Sequence, residues 1–214
     1  TSYNLTTAIK VSCSESGPSF DIERNPVTQN GTVHQKNKLL IKGIGIWVDT
    51  WPKGGASVRF NRVWQNVNAG IKVELTEQQK VYCNVVYENG IGRQWINGYG
   101  GKAGVLLSRG AHNNMICHNT IYNNAGPQIA LQGPRFEKGK PNDNFSNGNI
   151  IKNNIAIFTR TDDSALQVLG GKVSYFNMNV IAKNCFGPEK PKFIYWGVLP
   201  TAYNSYEEFE RIYE

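Results

Sequence analysis

Six times along the chain an aliphatic residue or Phe is followed by Asn three places on, by a small or branched apolar residue five places on and, in all but one case, by Asn eight places on. The instances are Ile22/Asn25/Val27/Asn30, Val58/Asn61/Val63/Asn66, Val81/Asn84/Val86/Asn89, Ile116/Asn119/Ile121/Asn124, Ile151/Asn154/Ala156/Thr159 and Phe176/Asn179/Ile181/Asn184. They begin 36, 23, 35, 35 and 25 residues apart, a basic coil of 23 to 25 with a longer loop in three turns. A unit so short cannot bury its apolar face alone, but stacked units can, which restricts the chain to a solenoid. Asn suits the turns of such a stack because it tolerates left-handed backbone angles and its amide can bond to the coils above and below.

Between the Asn-bearing segments lies a second strand: Ala8–Ser12, Gly45–Asp49, Gly70–Glu74, Gly104–Ser108, Gln128–Gln132 and Ala165–Leu169. In Gly45-Ile46-Trp47-Val48-Asp49 and Gly70-Ile71-Lys72-Val73-Glu74 the two aliphatics face one way and the third and fifth residues the other. Stacked, the fifth places read Ser12, Asp49, Glu74, Ser108, Gln132, Leu169, and the third places Lys10, Trp47, Lys72, Leu106, Ala130, Gln167. This is the pattern of an all-β chain, a right-handed parallel β-helix solenoid of about six to seven coils. Across residues 8 to about 196 it resembles the pectate-lyase-like superfamily.

A chain of 214 residues is long enough for one such domain and no more. Residues 1–7 are a lead-in, 8–196 the coils and 197–214 a C-terminal cap. In the cap, Ser205 followed by Glu208 is a capping-box pattern that predicts a short helical turn packed through Tyr206, Phe209 and Tyr213. No helix covers the first strand, and an open solenoid end exposes core side chains and strand edges. The expectation is a fragment, a processed product or one member of an assembly, with a further chain or N-terminal segment as the cap; the alternative is that residues 1–7 and 13–19 fold over the end.

The formal net charge is +7, but the basic residues are scattered, which argues for a solvated surface and against a nucleic-acid partner. No run of 18 apolar residues marks a membrane span, and residues 1–20 lack the apolar block of a signal peptide. The compartment stays open, with a secreted or periplasmic location favoured. Cys13, Cys83, Cys117 and Cys185 lie in different coils without metal-ligand spacing and read as buried free thiols. Neither a cofactor nor a metal is expected. Sequons at Asn4, Asn30 and Asn144 are expected by chance in so Asn-rich a chain.

Long segments at 31–44, 90–103 and 133–149 flank both edges of the sheet that carries Asp49 and Glu74, and predict a walled groove on that face. The second brings Arg93 and Trp95; Arg109 and His112 follow the Gly104 strand. Neighbouring parallel strands lie about 4.8 Å apart, so the two carboxyl groups are expected roughly 5 Å from each other. Two acids that close resist joint ionisation, which divides them into one acid and one base. A retaining glycosidase uses carboxyl groups about 5–5.5 Å apart in this way. Trp47 could stack on a sugar face, and Lys72 could hold one carboxylate ionised. Arg93, Trp95, Arg109 and His112 complete the expected contacts to an oligo- or polysaccharide.

The run Gly45-Ile46-Trp47-Val48-Asp49, the Asn61/Asn66 turn coil, Val73-Glu74 and Val81–Asn84 resemble the β-helical retaining β-xylosidases and related glycoside hydrolases. That resemblance implies Asp49 as nucleophile and Glu74 as general acid/base. The chain departs from the family at Leu75-Thr76-Glu77-Gln78, where those enzymes tend to carry His-Gly. Two alternatives stand beside the hydrolase. One is a polysaccharide lyase using Lys or Arg as base, often with Ca²⁺; the other is a non-catalytic glycan-binding or structural solenoid.

Overall fold

Strands of three to six residues offer one to three inward positions each, too few for any strand pair to make a core. The chain answers this by visiting three sheets in rotation. The computed structural model describes residues 7–12, 19–31, 43–50, 55–91, 101–132, 146–159, 164–169, 179–191, 193–197 and 201–213. Sheet one takes Thr7–Ser12, Ile44–Asp49, Ile71–Glu74, Val105–Ser108, Ile129–Gln132, Leu166–Leu169 and Ile194–Gly197 in parallel, followed by the antiparallel Thr201–Tyr203. Sheet two is Asp21–Glu23, Ser57–Arg59, Lys80–Tyr82, Met115–Cys117, Ile150–Lys152 and Val180–Ala182. Sheet three is Pro26–Thr28, Arg62–Trp64, Val85–Tyr87, Thr120–Tyr122, Ile155–Ile157 and Cys185–Gly187. Each parallel neighbour is reached only after one strand in each of the other sheets, so the described elements form an all-β, solenoid-like stack.

The interior is made of aliphatic columns. Ile46 and Val48 face inward from sheet one, Val58 from sheet two and Val63 from sheet three, all out of solvent and in one apolar cluster. Burying each such side chain contributes roughly 1.5–3 kcal/mol. Where sheet three offers only Ala156, the ring of Phe158 is fully buried beside Phe193, with centroids 6.4 Å apart. Sheet one is also covered outside: every residue of Ile44–Asp49 and Val105–Ser108 is buried, and Leu106 and Ala130 join Ala69 and Ala103 in a second, outer apolar cluster.

Ladders of side-chain amides run along the corners. Between sheets two and three the ladder is Asn25, Asn61, Asn84, Asn119, Asn154, Asn184. At each step one Oδ1 accepts two bonds from the preceding coil. Thus Asn84 Oδ1 accepts from the Asn61 backbone N–H and from Asn61 Nδ2, each at 3.0 Å. Asn84 Nδ2 in turn donates to Asn119 Oδ1 (3.0 Å), to Tyr82 O (3.0 Å) and to Val58 O (2.8 Å). A second ladder, Asn30, Asn66, Asn89, Asn124, follows sheet three and ends on Gln128 Oε1. The glycines that open the sheet-one strands are set by it: a Cβ on Gly70 would lie 2.7 Å from Asn89 Nδ2 and 2.5 Å from Val86 Cγ1. A third ladder, Gln79, Asn114, Asn149, Asn179, lies between sheets one and two and was not expected from the sequence.

That third ladder corrects the sixth repeat. Ile181 pairs with Ile151 and Phe186 with Ala156, and Asn154 donates to Asn184, 30 residues on. The last coil therefore starts at Ile181 rather than Phe176. An Asn two places ahead of the apolar residue belongs to the third ladder, and in a frame slipped by five residues it imitates the Asn three places after it.

The left-handed angles also sit elsewhere than expected. Arg24, Phe60, Cys83, His118, Asn153 and Lys183, with φ of 54–58°, each precede a residue of the first ladder. None of the amides of the first two ladders is itself left-handed. The corner is turned by the preceding residue while the amide is locked to its neighbours.

Asn30, at one of the three sequons, is fully buried with Nδ2 bonded to Asn66 Oδ1 at 2.6 Å, which leaves it inaccessible to glycosylation in the fold. Cys117 is buried, but Cys83 is only half-buried, at a corner, and Cys185 is exposed on the outside of sheet three, so the expectation of buried thiols holds for Cys117 alone. Cys13, Asn4 and Asn144 lie outside the described residues. At the C-terminus, Ser205 Oγ accepts from Glu208 N–H (3.1 Å), and the helix Tyr206–Tyr213 sets Phe209 against Trp196 and Tyr203, at 5.4 and 5.5 Å between centroids.

Replacing Asn84 by Ala removes the acceptor of two Asn61 donors and a donor to Val58 O, Tyr82 O and Asn119 Oδ1. Urea unfolding should show a loss of about 2–3 kcal/mol, the cost of leaving buried partners unsatisfied. The dependence on urea concentration should be unchanged.

Candidate functional site

The outward columns of sheet one stand in the register read from the sequence. Ser12, Asp49, Glu74, Ser108 and Gln132 are successive strand partners, as are Lys10, Trp47, Lys72, Leu106 and Ala130. Asp49 and Glu74 are thus direct neighbours on one face, on rungs about 4.8 Å apart.

The adjoining column supplies their counter-ions. Lys10 Nζ lies 2.8 Å from Asp49 Oδ2, and Lys72 Nζ 2.7 Å from Glu74 Oε2. Trp47 stands between the two lysines, on the rung after Lys10 and before Lys72, with the ammonium groups 4.0 and 4.7 Å from its ring centroid. Cation–π attraction of this kind contributes about 0.5–2 kcal/mol per pair. Trp47 is itself buried, so its ring acts on the lysines rather than as an open platform.

A third cation comes from the corner. Arg109 has a left-handed backbone (φ 51°) immediately after the strand ending at Ser108, and its Nε lies 3.3 Å from Glu74 Oε1. Exposure then grades outward: the Glu74 side chain is 4% exposed and that of Asp49 12%, against 44% for Lys10 and 55% for Arg109. The acids and Lys72 are recessed, and Lys10 and Arg109 form the rim. Burial pushes the Lys72 ammonium below the usual lysine range, while the Glu74 carboxylate opposes that shift by charge and by hydrogen bond.

The other expected contacts are distributed differently. His112 is turned around the corner, with Nε2 3.1 Å from Glu77 Oε2 and Nδ1 2.7 Å from Gly110 O. Glu77 and His112 make an isolated bridge there, outside the strands, so His112 ties one corner to the next. Arg93 and Trp95 lie outside the described residues, as do most residues of the three long segments.

Two members of the site were in the columns but not among the expected site residues. Lys10, one rung before Trp47, is the partner of Asp49. Ser108, one rung after Glu74, is 1% exposed and among the described residues its Oγ has no hydrogen-bond partner. Both were legible as column neighbours, but only Lys10 carried a charge to mark it. Among the described residues no cluster of His, Cys, Asp and Glu is arranged to hold a metal ion.

The chain matches no protein-family model, no curated protein and no solved structure.

Because the folded pKa of Lys72 lies below its unfolded value, the unfolded chain binds more protons between the two. Stability should therefore rise with pH through that window, which ends near the ordinary lysine value of about 10.4. Lys72→Met should remove that share of the slope, measured as the difference between wild-type and variant urea midpoints at successive pH values on the alkaline side.

Proposed function

We propose that this chain is a carbohydrate-active protein, a right-handed parallel β-helix of six to seven coils acting as a retaining glycoside hydrolase of β-xylosidase-like type. One observation carries the reading: Asp49 and Glu74 are in-register partners on the outward face of sheet one. The rung distance of about 4.8 Å lies near the separation a covalent glycosyl-enzyme mechanism needs and well short of the wider gap required for an inverting water.

In this reading Asp49 attacks the anomeric carbon, with Lys10 paired to its Oδ2. Glu74 protonates the leaving oxygen and then draws a proton from water. Both Glu74 oxygens are occupied, Oε2 by Lys72 and Oε1 by Arg109, so contact with the leaving oxygen requires that substrate draw one of them away. Arg109, the more exposed of the two, is the one placed to move. Ser108 is the next hydroxyl along the acid column and offers a donor to substrate or to Glu74.

A second reading has an observation of its own. A lysine whose pKa is lowered by burial is suited to abstract a proton, and Lys72 beside Glu74 would serve as the base of a polysaccharide lyase acting on a uronate.

The two readings separate on the product. With xylo-oligosaccharides and aryl β-xylosides, proton NMR of early product should show the β-anomer first. Asp49→Asn and Glu74→Gln should each lower kcat by about 10²–10⁴-fold or more with an unchanged circular dichroism spectrum. An unsaturated, ultraviolet-absorbing product from a uronate polymer would replace the hydrolase by the lyase. Glycan binding without cleavage, indifferent to both substitutions, would leave a non-catalytic solenoid.

A further inference from the structure

The corner after sheet three carries a feature that the acid pair does not use. Gln29, Gln65, Glu88 and Asn123 are its left-handed residues, with φ of 52–55°, one per rung, each just ahead of a buried ladder Asn. Together with Ile91 and Ala125 they line one surface groove of about 300 Å³.

We infer that this groove binds a neutral oligosaccharide through its row of side-chain amides. Its volume is at the lower end for small-molecule sites. Gln29, Gln65 and Asn123 present planar amides, donor and acceptor together, and Glu88 a carboxylate that only accepts, one group per rung, the chemistry that engages vicinal hydroxyls. Much of their capacity is unspent: Gln65 Nε2 donates to Glu88 Oε2 (3.1 Å) and Asn123 Oδ1 accepts from Thr159 (3.1 Å), while among the described residues the Gln29 amide has no partner. Ile91, 55% exposed, supplies an apolar wall for the C–H face of a sugar ring.

The composition of the described lining argues against other ligand classes. Among the described residues no lysine or arginine lines the groove, and the one charge there is the Glu88 carboxylate, which disfavours phosphate, uronate and nucleic acid. Peptides are captured on unpaired strand edges or by apolar anchor pockets. Of the sheet-three strands that lead into this groove, Arg62–Trp64, Val85–Tyr87 and Thr120–Tyr122 have neighbours on both sides, and only Pro26–Thr28, at the Gln29 end, leaves a free edge. The inference is independent of the hydrolase reading, because the groove lies at a corner and the acids on the outer face of sheet one.

The test is a titration of ¹⁵N-labelled protein with xylohexaose and with cellohexaose. It is run on the wild type and on Asp49→Asn/Glu74→Gln, in which cleavage cannot consume the probe. At least one hexasaccharide should shift the amides of residues 29, 65, 88, 91 and 123 saturably in both proteins, with Kd in the high-micromolar to millimolar range. Gln65→Gly/Glu88→Gly removes two lining side chains at positions where glycine is conformationally at ease, so folding is retained. It should weaken binding by about tenfold, as expected for losing one or two hydrogen bonds. Absence of saturable shifts at this corner with both sugars overturns the inference, as does undiminished affinity in the double glycine variant. Neither result depends on whether the wild type turns over its substrate.

Discussion

Everything in this fold depends on one side-chain oxygen accepting two hydrogen bonds at once. When Asn84 Oδ1 takes both the backbone N–H and the amide of Asn61, it fixes the height of one coil above the next and their relative position along the strand. A slip of one residue in a strand would carry every side chain to the opposite face. The first ladder repeats this lock at every coil from Asn25 to Asn184, and register elsewhere in each coil is tied to it through strands of only three to six residues. The aliphatic columns supply the driving force for stacking, but a valine column is indifferent to a small sliding motion. The amides are not.

Fixed register has a consequence for charge. Any column of a parallel stack brings chemically similar groups to within about 4.8 Å, where two carboxylates repel. Asp49 and Glu74 are tolerated because the neighbouring column places Lys10 and Lys72 beside them, and Trp47 between the lysines keeps those two like charges from facing each other directly. Removing one partner of so recessed a cluster would strand a buried charge, which costs more than the pair contributes. The columns Ser12–Asp49–Glu74–Ser108 and Lys10–Trp47–Lys72 are therefore one electrostatic unit.

Much of this was legible in the sequence because the pattern has period two within a strand and one Asn per corner. The composition of both outward columns followed from Gly45–Asp49 and Gly70–Glu74 once the strands were aligned. What escaped has physical reasons. The third ladder begins with Gln79 and was hidden by that change of residue, and its last member, Asn179, drew the sixth repeat out of phase. The pairing of Lys10 with Asp49 crosses from one rung to the next, a diagonal that a column by column reading does not weigh. Arg109 was foreseen near the acids but His112 was not separable from it: three residues apart on a corner, both reach the preceding coil, one to Glu74 and the other to Glu77.

The corners also explain where this fold has freedom to acquire chemistry. A left-handed residue with a side chain costs about 1–2 kcal/mol relative to one in the right-handed region. Glycine would avoid that cost, yet Arg24, Phe60, Cys83, His118, Asn153 and Lys183 occupy a single corner of successive coils. Nothing but the backbone angle unites them. The following amide, buried in the inner coils, holds the turn from within, so the left-handed position is released from any requirement on its side chain, and the side chain stands at the edge of two sheets at a fixed height on the axis. Gln29, Gln65, Glu88 and Asn123 use such positions to line a groove, and Arg109, left-handed at a further corner but followed by Gly110, reaches Glu74. A ladder that makes corner identity irrelevant to folding makes the corner available for binding.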